Sequence, residues 1–180
     1  YALVGTPRNR ICPMSEEPNQ NDDPSIPDWD REKPYGREWK PGLFLLKALR
    51  DYQNSKNFFS KSWAILRHRL WSAVSSSDIP LNSRIEGGLM IPHPNGIVIH
   101  PNARVGANVL IFQQVTIGDG GARDGAPRIG NGAILGAGAK ILGGIEVGDG
   151  AKIGANAVVV KSVPPGATAV GIPAQIVNKN

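Results

Sequence analysis

The feature that most constrains this chain is a six-residue spacing of aliphatic side chains that begins at residue 79. Ile, Leu or Val recurs at every sixth position, apart from a two-residue slip and one loop, and Gly, Ala or another small residue commonly follows. A helix cannot carry glycine at this density, because each interior Gly costs about 1 kcal/mol relative to Ala. The spacing therefore predicts a parallel β-helix. The series is Ile79, Ile85, Ile91, Ile99, Val105, Ile111, Ile117, Ile129, Leu135, Ile141, Val147, Ile153 and Val159.

Each six-residue unit would supply one short strand and one corner, so that three units close a triangular coil of about 18 residues. The aliphatic side chain points inward and stacks on its equivalent ~4.8 Å away in the next coil. The small residue lets the chain turn. Such a prism has exposed faces and open ends, so we expect end caps and partner subunits.

Composition divides the chain into three regions. Residues 1–40 are rich in proline and acidic residues, which predicts an extended arm. Residues 41–77 predict a short helical segment that caps the prism. Residues 78–180 form the β-helix domain, interrupted by the glycine-rich loop 118–128, which is too polar to be a coil.

Within the helical segment, large apolar residues recur at steps of three and four, which is the spacing of a helix that packs through one face. His68 lies among arginines on the same predicted helix, and we expect it to face solvent or cap the helix. The apolar series is Phe59, Trp63, Leu66, Leu70 and Val74.

Composition also limits the function classes. The single cysteine, Cys12, excludes an internal disulfide and is typical of a reducing cytoplasm, so we expect a cytoplasmic protein. No run of about 18 apolar residues is present, so no membrane span is expected. A formal charge of +5 suggests an anionic partner, but no nucleic-acid-binding motif accompanies it.

The segment MIPHPNGIVIH places His93 between two prolines and just before an Asn-Gly turn. A histidine can take the proton of a hydroxyl as that hydroxyl attacks, and a carboxylate on its other ring nitrogen would orient it. Asp78 lies fifteen residues earlier, a little under one coil. From the residues alone, His93 could equally be a plain corner residue and Asp78 could satisfy a turn.

Residues 78–177 resemble the hexapeptide-repeat acyltransferases, most closely the serine acetyltransferase-like family and its polysaccharide-biosynthesis O-acetyltransferase branch. The resemblance rests on DIPLNSRIEGGLMIPHPNGIVI, IFQQVTIG, LGAGAKILGGIEVGDGAKIGANAVV and VPPGATAVGIPAQIV, which occur in family order. It implies a left-handed coil and a homotrimer, or a dimer of trimers. It also implies that acetyl-CoA lies between neighbouring prisms and gives its acetyl group directly to the hydroxyl of a small acceptor.

The resemblance assigns roles to individual residues. His93 matches the family's catalytic base and Asp78 the orienting aspartate, whereas His100 matches no catalytic position. Backbone around Gly118 and Ala137, together with Ala155, would line the coenzyme channel.

Lys152 would lie near the phosphate end of the coenzyme. No metal is expected: γ-type carbonic anhydrases use the same prism, but their zinc needs three converging histidines, and His68 lies on the predicted helix.

Three positions depart from serine acetyltransferases. Pro92 replaces an aspartate, and Gly125 and Ala126 replace an Arg-His pair, although those charges would suit the zwitterion serine. Arg123 and Asp124 lie close by and are candidate substitutes. We therefore expect a neutral hydroxyl acceptor, a sugar in surface-polysaccharide biosynthesis. The alternatives are serine O-acetylation in cysteine biosynthesis and, from another class, a non-catalytic trimeric β-helix scaffold.

Overall fold

The computed structural model describes residues 23–33, 40–120 and 124–177. It is a mainly β, three-sided parallel β-helix preceded by a helical segment, which confirms the predicted left-handed prism. The predicted arm over residues 1–40 is described only in part, and the rest of it lies outside the described residues.

Three sheets form the faces of the prism, and their strands pair in parallel with the equivalent strand of the next coil, apart from the final antiparallel pair β12–β13. Face A contains β2 (Val98–Ile99), β5 (Thr116–Gly118), β8 (Lys140–Leu142) and β11 (Val158–Val159). Face B contains β1 (Arg84–Ile85), β3 (Arg104–Val105), β6 (Arg128–Ile129) and β9 (Glu146–Val147). Face C contains β4 (Leu110–Ile111), β7 (Ile134–Leu135), β10 (Lys152–Ile153), β12 (Thr168–Gly171) and β13 (Ala174–Val177).

The predicted inward residues form the core. All thirteen members of the six-residue series are at most 7% exposed. Register pairs them along each face; on face B, for example, Ile85, Val105, Ile129 and Val147 stack in turn. The outward residue of each strand is in register as well, so each face presents a column of side chains one coil apart.

The spacing between coils explains the small residue at each corner. At Gly136 an added Cβ would lie 2.7 Å from both the carbonyl oxygen of Ile153 and the backbone nitrogen of Ala155. Those atoms belong to the backbone of the next coil, which cannot move without breaking its strand pairing. The repeat therefore needs glycine at this corner for space.

Two helices cover the N-terminal end of the prism. Helix α1 (Pro41–Asn54) begins with proline in its first turn and buries Leu45, Leu46 and Leu49 in the same core as the first coil. A Cβ on Gly42 would lie 2.6 Å from the carbonyl oxygen of Ile91, so the helix backbone rests directly on the coil. The predicted helical cap is confirmed. No helix among the described residues has the length and apolarity needed to cross a bilayer.

Helix α2 (Phe58–Ser75) has the predicted period but buries a different face. The apolar series from Phe59 to Val74 is between 46% and 85% exposed. The residues that turn inward are Ala64, His68, Trp71 and Ser75, and the Trp71 ring stacks on Phe44 of α1 at 4.7 Å.

The prediction that His68 faces solvent or caps the helix is therefore wrong. His68 is 8% exposed, and its Nε2–H donates to the carbonyl oxygen of Ile79 at 2.9 Å. Ile79 opens the first coil and its carbonyl needs a donor at the end of the prism, which explains why a polar residue occupies this buried position.

An N-terminal strap, residues 23–33, lies against the edge between faces B and C. It ends in a 3-10 turn, Trp29–Glu32. The Asn108 side chain accepts from Asp28 N at 2.8 Å and donates to the carbonyl of Ile26 at 2.7 Å. Glu32 forms a bidentate ion pair with Arg50 of α1, which also donates to two carbonyls of the first coil.

Candidate active site

His93 lies exposed at the corner between faces C and A, here called the CA edge. Two bonds from the segment ahead of the first coil hold this corner. The buried Ser77 hydroxyl donates to the carbonyl of Pro94, and Gly96 N donates to the carbonyl of Ser76 at 2.9 Å. The flanking prolines restrict the backbone further. The imidazole thus projects into solvent from a rigid corner.

Asp78 begins face A one coil before Val98, with which it forms a parallel bridge. Its backbone accepts from Ile99 N at 2.9 Å and donates to the carbonyl of Ile97 at 2.8 Å, so its position relative to the His93 corner is set by sheet pairing. Its carboxylate is exposed. Among the described residues, neither the Asp78 carboxylate nor the His93 imidazole has a hydrogen-bond partner, and no bond joins the two.

Successive corners stack along the CA edge. Ala137 and Ala155 occupy this edge two and three coils beyond the His93 corner. The intervening corner carries the larger residues Gln113 and Gln114, so the edge offers small side chains only from Ala137 onward. The structure therefore brings both predicted coenzyme-lining alanines onto the edge that carries His93. The bonds that join the corners run from Gln114 N to Asn95 O (2.8 Å), from Gly138 N to Gln113 O (2.9 Å) and from Asn156 N to Ala137 O (2.8 Å).

Gly118 and Lys152 lie on the two faces that meet at the CA edge. Gly118 ends β5 on face A, where an added Cβ would meet Leu142 Cδ2 at 3.6 Å, an ordinary contact. Within one chain there is therefore room for a side chain at Gly118. Lys152 is exposed on face C, in register with Ile134.

The candidate acceptor-binding loop lies on another edge. Asp124 is exposed and its carbonyl packs against Gly144, at the edge between faces A and B, the AB edge. Arg123 lies outside the described residues. Because the whole of face A separates Asp124 from His93 within one chain, a site containing both would need two chains.

A second histidine-carboxylate pair was not predicted from the sequence. On the AB edge, His100 Nε2 lies 3.4 Å from Asp119 Oδ2, while its Nδ1 accepts from Asn102 N at 3.2 Å. An accepting Nδ1 leaves the proton on Nε2, which faces the carboxylate. The nineteen-residue separation, about one coil, was the available signal. This pair ties the start of the loop to the preceding coil.

The described residues contain no group of three or more His, Cys, Asp or Glu side chains close enough together to hold a metal ion.

Comparison with known proteins agrees with the architecture. The family model described as bacterial transferase hexapeptide (six repeats) matches residues 126–161 of this chain. The serine acetyltransferase of Salmonella typhimurium is 44% identical over 146 residues, which cover 77% of this chain and 54% of that protein. The chain thus spans about half the length of the curated relatives it matches.

Two solved structures are similar over about three quarters of this chain. A serine acetyltransferase in complex with CoA is 40% identical with a TM-score of 0.66, covering 77% of this chain and 58% of that one. The soybean serine acetyltransferase complexed with serine is 39% identical with a TM-score of 0.66, covering 76% and 57%. These relatives give no support to the polysaccharide-biosynthesis branch. The chain belongs to the hexapeptide-repeat transferase family, as its six-residue repeats, its three-sided coil and these matches together show.

Proposed function

We propose that this chain is an acetyl-CoA-dependent O-acetyltransferase of the serine acetyltransferase type, with His93 as the general base. The observation that carries the proposal is the placement of an exposed imidazole, on a corner held by Ser77 and Ser76, at the head of an edge lined by Ala137 and Ala155. The relatives named above supply the reaction class, and one of them was solved with CoA.

The chemistry requires no acyl-enzyme. As the acceptor oxygen attacks the thioester carbonyl, its proton moves to the imidazole of His93. The tetrahedral intermediate then collapses, the C–S bond breaks, and the coenzyme leaves as a thiol after taking a proton from the imidazolium. A carboxylate at Asp78 would stabilise that imidazolium once the ring turns toward it, as substrate binding often tightens hydrogen bonds that are long in the free enzyme.

The CA edge suits an extended coenzyme arm. Three coils at ~4.8 Å per coil give an edge of ~14 Å between the corners of His93 and Ala155. Stacked corners expose backbone groups that can bond the amides of pantetheine, and Gly118 leaves space on the adjoining face. Lys152 supplies a cation for a phosphate group at the far end.

The proposed assembly is a homotrimer that uses face C. The outward column of this face begins with Met90, Leu110 and Ile134, which are in register, apolar and half-buried in one chain. Burying such a column against a neighbour is favourable at about 25 cal/mol per Å² of apolar area. A neighbouring chain would also bring its Asp124 loop toward this chain's His93. The same proposal pairs two trimers through the exposed apolar stripe of α2, from Phe59 to Val74.

Serine is the acceptor that the relatives favour, since they are named serine acetyltransferases and one was solved with serine. A sugar hydroxyl is the second candidate. The observation in its favour is the absence of charge at Pro92, Gly125 and Ala126, which leaves the ammonium and carboxylate of serine without the partners that the family supplies.

The test is release of CoA thiol from acetyl-CoA by the purified full chain, with serine and then a panel of sugars as acceptors. His93→Ala should lower turnover by about 10²- to 10⁴-fold. Asp78→Asn should be milder but still severe. His100→Ala is the histidine comparison: it should leave kcat near that of wild type, and loosening of the loop at Asp119 should change only the KM for the acceptor. Equal turnover by His93→Ala and wild type would overturn the proposed mechanism, and the absence of acetyl-CoA binding by wild type would favour the scaffold alternative.

A further inference from the structure

Face B presents a column of three arginines. Arg84, Arg104 and Arg128 are the outward residues of β1, β3 and β6, and strand register places each directly opposite the next. All three side chains are exposed. In the part of the chain that the structure describes, none of the three guanidinium groups forms an ion pair or a hydrogen bond.

Stacking like charges in this way is unfavourable. Neighbouring strands are ~4.8 Å apart, and like charges directly opposite each other in a sheet destabilise it. Glu146 follows Arg128 in register, but no ion pair joins their side chains. The chain therefore maintains a line of positive charge that its own described residues do not neutralise.

The column lines a groove of about 560 Å³ beside the loop residues Asp124–Ala126. Asn102 and Ser162 add neutral hydrogen-bonding side chains, and Glu146 lies at one end. None of the described residues that line the groove is aromatic. This described lining combines a row of cations with neutral polar groups and two carboxylates.

We propose that this arginine groove binds an acidic glycan, a sugar chain that carries carboxylates at intervals. A guanidinium holds a carboxylate through two parallel hydrogen bonds, and three in a row fit charges that repeat along a chain. Asn102 and Ser162 suit the hydroxyls between those charges. A nucleic acid fits less well, because proteins hold single strands by stacking the bases on aromatic side chains, and the described lining of the groove contains none. The groove borders the candidate acceptor-binding loop at Asp124, but its arginines lie on face B, away from the CA edge, and binding there requires neither coenzyme nor catalysis.

The experiment is isothermal titration calorimetry, in which oligogalacturonate is added to the purified chain without acetyl-CoA. An uncharged glucan of equal length and a thymidine oligonucleotide serve as comparison ligands. Of the three ligands, we expect only oligogalacturonate to bind, with an affinity that falls as the salt concentration is raised. Arg104→Gln should weaken it about fivefold, and replacement of all three arginines by glutamine should abolish it. Arg69→Gln, at an exposed arginine of α2, is the matched control and should bind as wild type does.

The outcomes separate this inference from the proposed activity. Because binding is measured without turnover, His93→Ala should retain it fully. Equal binding of the glucan, or tighter binding of the oligonucleotide, would overturn the acidic-glycan assignment. A change in oligomeric state of Arg104→Gln, measured by light scattering, would show that a neighbouring subunit covers the column and would also overturn it.

Discussion

The buried hydroxyl of Ser77 donates a hydrogen bond to the carbonyl of Pro94, so the residue before Asp78 is joined to the residue after His93. One side chain thus connects the two segments that carry the proposed base and carboxylate. The relative position of Asp78 and His93 therefore depends on a buried residue.

Replacing Ser77 by alanine should misplace the His93 corner. We expect turnover to fall by roughly tenfold or more, because small errors in the position of a base are costly, while the affinity for acetyl-CoA changes little. The measurement is kcat and KM for acetyl-CoA. Ser83→Ala is the matched control, since Ser83 is also buried and donates to a proline carbonyl, Pro80 O, at 2.6 Å on another corner. Both variants should lose about 1–3 kcal/mol of stability. An equal loss of turnover in both would contradict a positioning role for Ser77.

The Glu32–Arg50 ion pair joins the strap to α1 and should contribute to the free energy of unfolding. Its side chains are only 8% and 14% exposed, and Leu89 N also donates to Glu32 at 3.1 Å. Glu32→Gln leaves the Arg50 charge buried without its carboxylate, so the free energy of unfolding should fall by about 3 kcal/mol. Urea unfolding measures this. Lys33→Gln removes an exposed ion pair with Asp30 and should change stability little. Similar results for both variants would show that the buried pair contributes no more than the surface pair.

His68 should make the fold sensitive to acid. Desolvation lowers the pKa of His68 below its ordinary value of 6.5, against smaller opposing effects of the bond to Ile79 and the charge of Asp78. In the unfolded chain the imidazole binds a proton more readily than in the native state, so stability is full above pH 6.5 and is lost as pH falls below that value.

The test compares unfolding free energies at pH 7.5 and pH 5 for wild type and two variants. His68→Gln, which keeps an N–H donor for Ile79 but does not titrate, should reduce the loss of stability on acidification. Leu70→Gln, on the exposed face of the same helix, should show the wild-type loss. If the stability of His68→Gln fell on acidification as much as that of wild type, His68 would not be the source of the acid sensitivity.

Leu110→Glu should dissociate the proposed trimer. It places a carboxylate in the middle of the apolar column of face C, where burial of an unpaired charge is strongly unfavourable. Sedimentation velocity should show monomers with an intact far-ultraviolet spectrum. Arg104→Glu, in the same coil but on face B, should remain trimeric. The reverse pattern would mean that face B, and not face C, meets the neighbouring subunit.

Sequence reasoning was most successful where one local rule repeats. The inward residues from Ile79 to Val159 are all buried because a six-residue unit has only one arrangement that satisfies its backbone and buries its aliphatic side chain. It was less successful on α2, where the helical period was right but the buried face was not. Two stripes with helical spacing coexist there, and only contact with α1 and the first coil selects the one that contains His68.

The coil, its three faces and the corner that carries His93 could be predicted from the residues, because they follow from short-range spacing and from the steric demands of glycine and proline. Only packing in three dimensions shows which distant side chains meet: Ser77 with Pro94, Glu32 with Arg50, His100 with Asp119, and three arginines in one column. Such pairings depend on coil register and on how the strap and helices pack. The coil spacing indicates which residues lie about one coil apart, as His100 and Asp119 do, but it does not indicate which side chains bond. The contact between Glu32 and Arg50 follows from no such spacing, because it joins the strap to a helix.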